Sequence, residues 1–258
     1  VVALAINHSK QEDFPMRSIR TSLLAAAALL SSASVANAVG VELALLIDVS
    51  GSVDSTEYAL QKGGYIAAFN NAAIHAAIAA TPGGVAVTYI EWSGASQQAQ
   101  LVGWTLLTDA ASSSAFAAAI AATSRAFSGL TAPGSAINFA APLFASNGFD
   151  GNRLVIDVSG DGVENDGADT SDARDAALAG GIDTINGIAI GNSTLLAWYN
   201  ANIVGGTNAF GIGVDSFDDF EAAIAEKLKR EIIGTPTPAA VALFGLGLVA
   251  MGFARRRG

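Results

Sequence analysis

Val41-Glu42-Leu43-Ala44-Leu45-Leu46-Ile47 runs directly into Asp48-Val49-Ser50-Gly51-Ser52-Val53-Asp54. The first half is short, almost continuously apolar, and stopped by glycine and small polar residues, which is the pattern of a buried β-strand. The second half places a carboxylate and two hydroxyls where that strand ends. In an open parallel sheet, ligands gather outside the carboxyl ends of the strands. An Asp-x-Ser-x-Ser at such an end therefore delivers Asp48, Ser50 and Ser52 as hard oxygen donors. Hard oxygens suit Mg²⁺ or Mn²⁺, which keep several waters and need few protein ligands. A plainer reading stands beside this one: the residues shape a turn and start a helix. Asp54 as N-cap with Glu57 three residues on forms a capping box. That reading accounts for Asp54 and Glu57 but not for Asp48, Ser50 and Ser52.

Outward from this stretch, strands and helices alternate. Ser55 to about Ile78 reads as one helix, broken by Thr81-Pro82-Gly83-Gly84. Val85–Trp92 and Gln97–Leu107 read as strands joined by a short turn at Ser93–Ser96, hence an antiparallel pair at a sheet edge. Helices follow at Thr108–Thr123 and Ser135–Ser146, separated by a loop over Ser124–Pro133. Arg153–Val158 is the next strand, Asp169–Ala179 a helix, Ile182–Ile190 a strand and Leu195–Asn202 a short helix. Ala209–Val214 and Phe217–Ile232 complete the series as strand and helix. This order predicts a three-layer α/β fold: a doubly wound, mainly parallel sheet with one antiparallel edge strand and helices on both faces.

The chain has 258 residues and a net charge of −10. Residues 39–233, one domain's worth of chain, hold nearly all of the 23 acidic residues but only about half of the 13 basic ones. A domain so acidic repels nucleic acid and anionic lipid. There is no cysteine, which removes disulfides, thiol nucleophiles and thiolate metal sites. His75 is alone in a helical stretch and reads as structural.

The two ends read as addresses. Met16-Arg-Ser-Ile-Arg20, the apolar Leu23–Leu30 and Ala36-Asn37-Ala38 are the basic, apolar and A-x-A parts of a secretory signal peptide over 16–38, with Val39 as the first mature residue. Residues 1–15 have no place ahead of such a signal and read as a start-site artefact. At 234–258, Thr235-Pro236-Thr237-Pro238 precedes the apolar run Ala239–Ala254 and then Arg255-Arg256-Arg257. This tail resembles the PEP-CTERM sorting signal, with Thr237 in place of that family's glutamate. The resemblance implies a hydrophobic helix held in the membrane before any processing; a plain C-terminal anchor is the other reading.

Three loops share the sheet edge in this topology. The first carries Asp48, Ser50 and Ser52. The second carries Thr131, within Gly129-Leu130-Thr131-Ala132-Pro133-Gly134-Ser135-Ala136-Ile137. The third carries Asp161, after Asp157-Val158-Ser159-Gly160. The set resembles a von Willebrand factor A (VWA) domain with a metal-ion-dependent adhesion site, and is most similar to the bacterial DUF1194 group of VWA-like proteins. The stretches Ile47–Asp54, Tyr89-Ile-Glu-Trp-Ser93, Val155–Gly162 and Ala173-Arg-Asp-Ala-Ala-Leu178 carry that likeness. It implies a Rossmann-like VWA fold and a divalent cation bound directly by Ser50 and Ser52. It further implies that Thr131 binds directly or through water, and that Asp48 and Asp161 act mostly through water.

Such a site binds and has no evident nucleophile or base, so the chain is expected not to be an enzyme. The resemblance implies an exported or surface-held module that grips a protein or glycan ligand through an acidic group on the metal. Two other classes stay open: a metal-dependent hydrolase, for which Asp157, Glu164 and Asp166 are the only extra acids near the site, and a structural envelope or matrix component with a stabilising metal. The acid-rich run Asp161–Asp169 does not fit a calcium-binding EF-hand loop and reads as a solvated rim. Glu91 and Trp92 read as strand-end packing.

Overall fold

A computed structural model describes residues 36–234. The strand that decides the fold is β2, Val41–Asp48, and all eight of its residues are buried. It lies at the centre of the main sheet. On one side it pairs in parallel with β3, Val85–Trp92, and on the other with β6, Leu154–Gly160. β4, Gln98–Leu107, runs antiparallel along the outer edge of β3. β7, Thr184–Ile190, extends the sheet in parallel beyond β6.

Alternate residues of β2 feed two separate cores, as the two-residue period of a strand requires. Leu43, Leu45 and Ile47 pack with α1 (Ser55–Phe69), α2 (Ala72–Ala80), α3 (Ala110–Ala122) and α7 (Phe220–Ile233). Ala44 and Leu46 pack on the other face with α4 (Pro133–Ala140), α5 (Thr170–Ala179) and α6 (Ser193–Asn202). Each fully buried Leu or Ile there contributes roughly 1.5–3 kcal/mol relative to exposure. Glu42 and, at the strand's end, Asp48 are the polar residues of β2. For Glu42 the partners lie at the strand's start. Its buried carboxylate accepts hydrogen bonds from Gly151 N at 2.7 Å and from the Asn147 side chain.

The three-layer, mainly parallel architecture matches the expectation, including the antiparallel edge at β4. Several details differ. The expected single helix from Ser55 to Ile78 is two helices, because Asn70 ends the first and Asn71 caps the second by accepting from Ala73 N. The helix expected over Ser135–Ser146 becomes 3₁₀ from Ala141, next to Pro142, which cannot donate into a continuing α-helix. The last helix likewise opens with a 3₁₀ turn, Phe217–Asp219. Three short strands escaped the sequence reading. β1 (Asn37–Val39) pairs in parallel with β5 (Phe149–Gly151), and β8 (Gly205–Gly206) runs antiparallel on β7 beside the expected β9 (Gly211–Val214).

The start-site, signal-peptide and tail readings fall outside the described residues, apart from Ala36–Ala38 and Gly234. The expected cleavage point between Ala38 and Val39 lies inside β1. Among the described residues no helix is long and apolar enough to cross a membrane.

Candidate metal centre

The parallel strands β2 and β6 end side by side, and this alone brings the first and third loops together. Asp48 is the last residue of β2, and Asp161 immediately follows β6. Within the first loop, Ser50 N donates to Asp48 Oδ1 at 2.7 Å, and the hydroxyls of Ser50 and Ser52 lie 3.1 Å apart. Ser52 Oγ then donates to Asp161 Oδ1 at 2.7 Å. Four of the five expected residues thus form one continuous hydrogen-bonded chain. Thr131, only 5% exposed, joins from the second loop: a methyl placed on Gly162 would lie 3.5 Å from Thr131 Cγ2 and 3.6 Å from its Oγ1, so the threonine side chain lies against the residue next to Asp161. Reciprocal bonds between Thr131 and Asn165 hold it there, N to Oδ1 at 2.8 Å and Asn165 N to Thr131 O at 3.0 Å.

The burial of these groups is unequal. Asp48 and Ser50 are fully buried, whereas Ser52 is exposed. Burial pushes the Asp48 carboxyl up to about 7, against the opposing pull of the Ser50 hydrogen bonds. Asp161 is raised for the same reason, with Ser52 opposing. Asp48 Oδ2 is buried without a hydrogen-bond partner. A buried carboxylate oxygen left bare is costly, and a cation or its bound water would satisfy it. The donor set of three hydroxyls and two carboxylates fits a hard divalent cation. It also differs from an all-carboxylate or histidine cage: among the described residues no three His, Asp or Glu side chains form a metal-holding group.

Several residues outside the expected metal set hold the loops in place. The Arg125 guanidinium donates from one nitrogen to the carbonyls of Val49, Ser50 and Val53 at 2.8–2.9 Å, and through Nε to Phe127 O at 2.9 Å. It sits 5.4 Å from the centre of the Tyr58 ring. Glu91, read as strand-end packing, accepts from Tyr58 Oη and Ala126 N, both at 2.8 Å, and so anchors the second loop. Below the site, Gln61 Nε2 donates to Asp48 O at 2.9 Å, and Ser159 Oγ donates to Gln61 Oε1 at 3.0 Å. Neither the arginine nor the glutamine belongs to a short motif, so no local signal marked them.

The three further acids that the hydrolase reading named are engaged elsewhere. Glu164 accepts from Thr170 N at 2.6 Å at the start of α5, and Asp166 accepts from Ala95 N at 2.7 Å. They brace the rim, where the sequence reading expected solvated acids. Asp157, facing away into the core, forms an ion pair with buried Lys227. A cavity of about 550 Å³ opens beside Asp161, lined also by Asp54, Glu57, Asp215 and Asp218. Leu130 and Val163, in the second and third loops, are 55% and 47% exposed.

The fold has solved counterparts. Proximal thread matrix protein 1 of the mussel byssus is similar with a TM-score of 0.55 and 19% identity, over 77% of this chain and 47% of that one. A second structure of the mussel protein has a zinc-occupied MIDAS motif (TM-score 0.53, 18% identity, 76% of this chain and 46% of that one). The pilus adhesin SpaC of Lactobacillus rhamnosus GG is similar with a TM-score of 0.54 and 17% identity, over 75% of this chain and 30% of that one. The chain therefore spans about half the length of the mussel protein and less of the adhesin. At these identities the likeness establishes the VWA-type fold. No curated protein matches the chain by sequence. The sequence does match the family described as "Protein of unknown function (DUF1194)" over residues 38–236, a span that takes in the whole main sheet and all three loops, and the chain belongs to that family.

Proposed function

We propose that this protein is a non-catalytic binding module that holds Mg²⁺ or Mn²⁺ between its three loops and uses the cation to grip an acidic group of a protein or glycan ligand. The observation that carries this reading is the convergence of Asp48, Ser50, Ser52, Thr131 and Asp161 at one sheet edge, with Asp48 Oδ2 bare. Few direct anionic donors leave a bound cation electrophilic and ready for one more oxygen ligand. Exposed Leu130 and Val163 on two of the loops add apolar contact area around that position. Glu164, Asp166 and Asp157, the acids on which the hydrolase reading would draw, are taken up in structural bonds, and this favours binding over hydrolysis. Export to the cell surface or matrix, with membrane attachment through the tail, belongs to the same reading and rests on the signal-like and tail sequences. That the mussel and pilus counterparts are a thread matrix protein and an adhesin is in keeping with it.

The test has two stages. Calorimetry with Mg²⁺ and Mn²⁺ should show one site, lost in Ser50→Ala/Ser52→Ala. Immobilised protein should then retain a component of cell-envelope material in the presence of the cation and release it in EDTA. Retention unaffected by EDTA would reduce the metal to a loop staple, and turnover of a phosphoester would move the protein to the hydrolase class.

A further inference from the structure

Tyr199, in the middle of α6, is fully buried, yet its hydroxyl has no hydrogen-bond partner. A buried unpaired hydroxyl is destabilising, and phenylalanine would fill the same space without that penalty. The ring reaches its position because two strands give way to it. A methyl on Gly187 of β7 would lie 2.9 Å from Tyr199 Cδ1, and one on Gly160 of β6 would lie 2.7 Å from Tyr199 Oη. Neither glycine has a positive φ, so space rather than backbone conformation is what each supplies. Glycine inside a strand weakens it and often marks a close approach. Here two of them, on neighbouring central strands, open a slot for one side chain.

At the end of that slot is Asp48. The same point beside Gly160 that is 2.7 Å from Tyr199 Oη is 2.6 Å from Asp48 Oδ2, the other bare buried oxygen of the site. The two are chemically complementary, since a phenol donates and an ionised carboxylate only accepts. Burial raises the Tyr199 phenol well above its ordinary value, and the charges of Asp48, Asp161 and Asp157 add to this.

We propose that Tyr199 is a positioning residue of the metal centre: its hydroxyl, brought past Gly187 and Gly160, orients the Oδ2 side of Asp48 through one water. The inference rests on the metal-binding reading above. Outer partners of this kind typically change metal affinity about 10- to 100-fold. The experiment is Tyr199→Phe in the full chain, with Mn²⁺ affinity measured by calorimetry and the melting temperature measured separately in EDTA. The expected result is a Kd weakened about 10-fold or more, with the EDTA melting temperature equal to or above that of the unsubstituted protein. An unchanged Kd overturns the proposal and leaves Tyr199 as a core filler. A drop in the EDTA melting temperature that accompanies the weaker Kd marks a packing defect and overturns it as well. The unsubstituted protein is the control on the underlying reading: if it binds no Mn²⁺, the metal centre itself falls, whereas normal binding in both proteins rejects only the role of Tyr199.

Discussion

Ser52 Oγ donates to Asp161 Oδ1 at 2.7 Å, a bond between residues 109 positions apart that closes the first loop onto the third. In this arrangement each group spends on the other the oxygen that a cation would use. Cation binding must exchange that bond for metal and water contacts, so the loops are brought together before the metal arrives. Removing both serine hydroxyls should therefore abolish cation binding at millimolar concentrations. Ser52 is exposed and its loss should cost stability within about 0.5 kcal/mol, while Ser50 is buried and adds a larger share. Calorimetry and a urea melt of Ser50→Ala/Ser52→Ala check this. Unchanged Mg²⁺ and Mn²⁺ binding would show that the site lies elsewhere.

Asp161 and Thr131 should separate in their effects. Asp161→Ala removes a carboxylate from a site with only two, and cation affinity should fall about 10- to 100-fold. Thr131→Ala removes a neutral hydroxyl from a residue whose backbone is held independently by Asn165, and the loss for the cation alone should be smaller. Titration of the two variants with Mn²⁺ decides it. A larger loss for Thr131→Ala would make the threonine the dominant ligand and reverse the expected roles.

The central strand and the Asp48-x-Ser50-x-Ser52 loop were legible because both signals are local: a buried strand needs a continuous apolar run, and its ligands follow directly. Thr131 and Asp161 were recognisable through resemblance, since each is an ordinary loop residue until the sheet topology brings it to the same edge. The rest of the site was not legible, for a physical reason in each case. Arg125 acts through backbone carbonyls, which leave no trace in side-chain patterns. Tyr199 reaches the site only because Gly160 and Gly187 leave room, a relation between three elements. The break between α1 and α2 was hidden because apolar residues continue on both sides of Asn70 and Asn71. The strands β1, β5 and β8 have two or three residues each and exist only through their pairing.

Arg125 makes a prediction of its own. One guanidinium nitrogen shares its two hydrogens among three carbonyls of the metal-bearing loop, so Arg125→Ala should destabilise the protein by at least about 2 kcal/mol, given the usual strength of hydrogen bonds from charged donors. It should also weaken cation affinity, because Ser50 loses its fixed backbone. Arg125→Lys should restore only part of both, since an ammonium group lacks the planar fork that reaches Phe127 and the loop together. Urea denaturation and Mn²⁺ titration of the two variants test this. Full rescue by lysine would reduce the residue to a point charge.

The last prediction concerns a buried charge cluster inside the core, beside the middle of β6. Lys227 lies fully buried between Asp157 and Glu231, with Nζ 2.5 Å from Glu231 Oε1, and Asn186 Nδ2 donates to the same oxygen at 2.9 Å. Burial pushes the Glu231 carboxyl up to about 8; the Asp157 carboxylate adds to this, and Lys227 and Asn186 oppose it. An unfolded glutamate releases its proton near 4.3. Between those values the folded protein holds a proton that the unfolded chain does not. The contribution to stability is therefore fully present below the unfolded value and lost as pH rises through about 8. Glu231→Gln keeps an oxygen to accept from Lys227 and Asn186 but cannot ionise, so it should flatten this decline. Lys227→Met acts in the other direction: it leaves two buried carboxylates facing each other, and removing one partner from a buried ion pair typically costs about 3–5 kcal/mol. Urea denaturation of the three proteins between pH 5 and 9, fitted with a common m-value, supplies the comparison. The loss between pH 5 and about 8 should be steep in the unsubstituted protein, shallow in Glu231→Gln and steepest in Lys227→Met. Equal slopes in the unsubstituted protein and Glu231→Gln would mean that Glu231 is already ionised in the folded state and that Lys227 alone balances both acids.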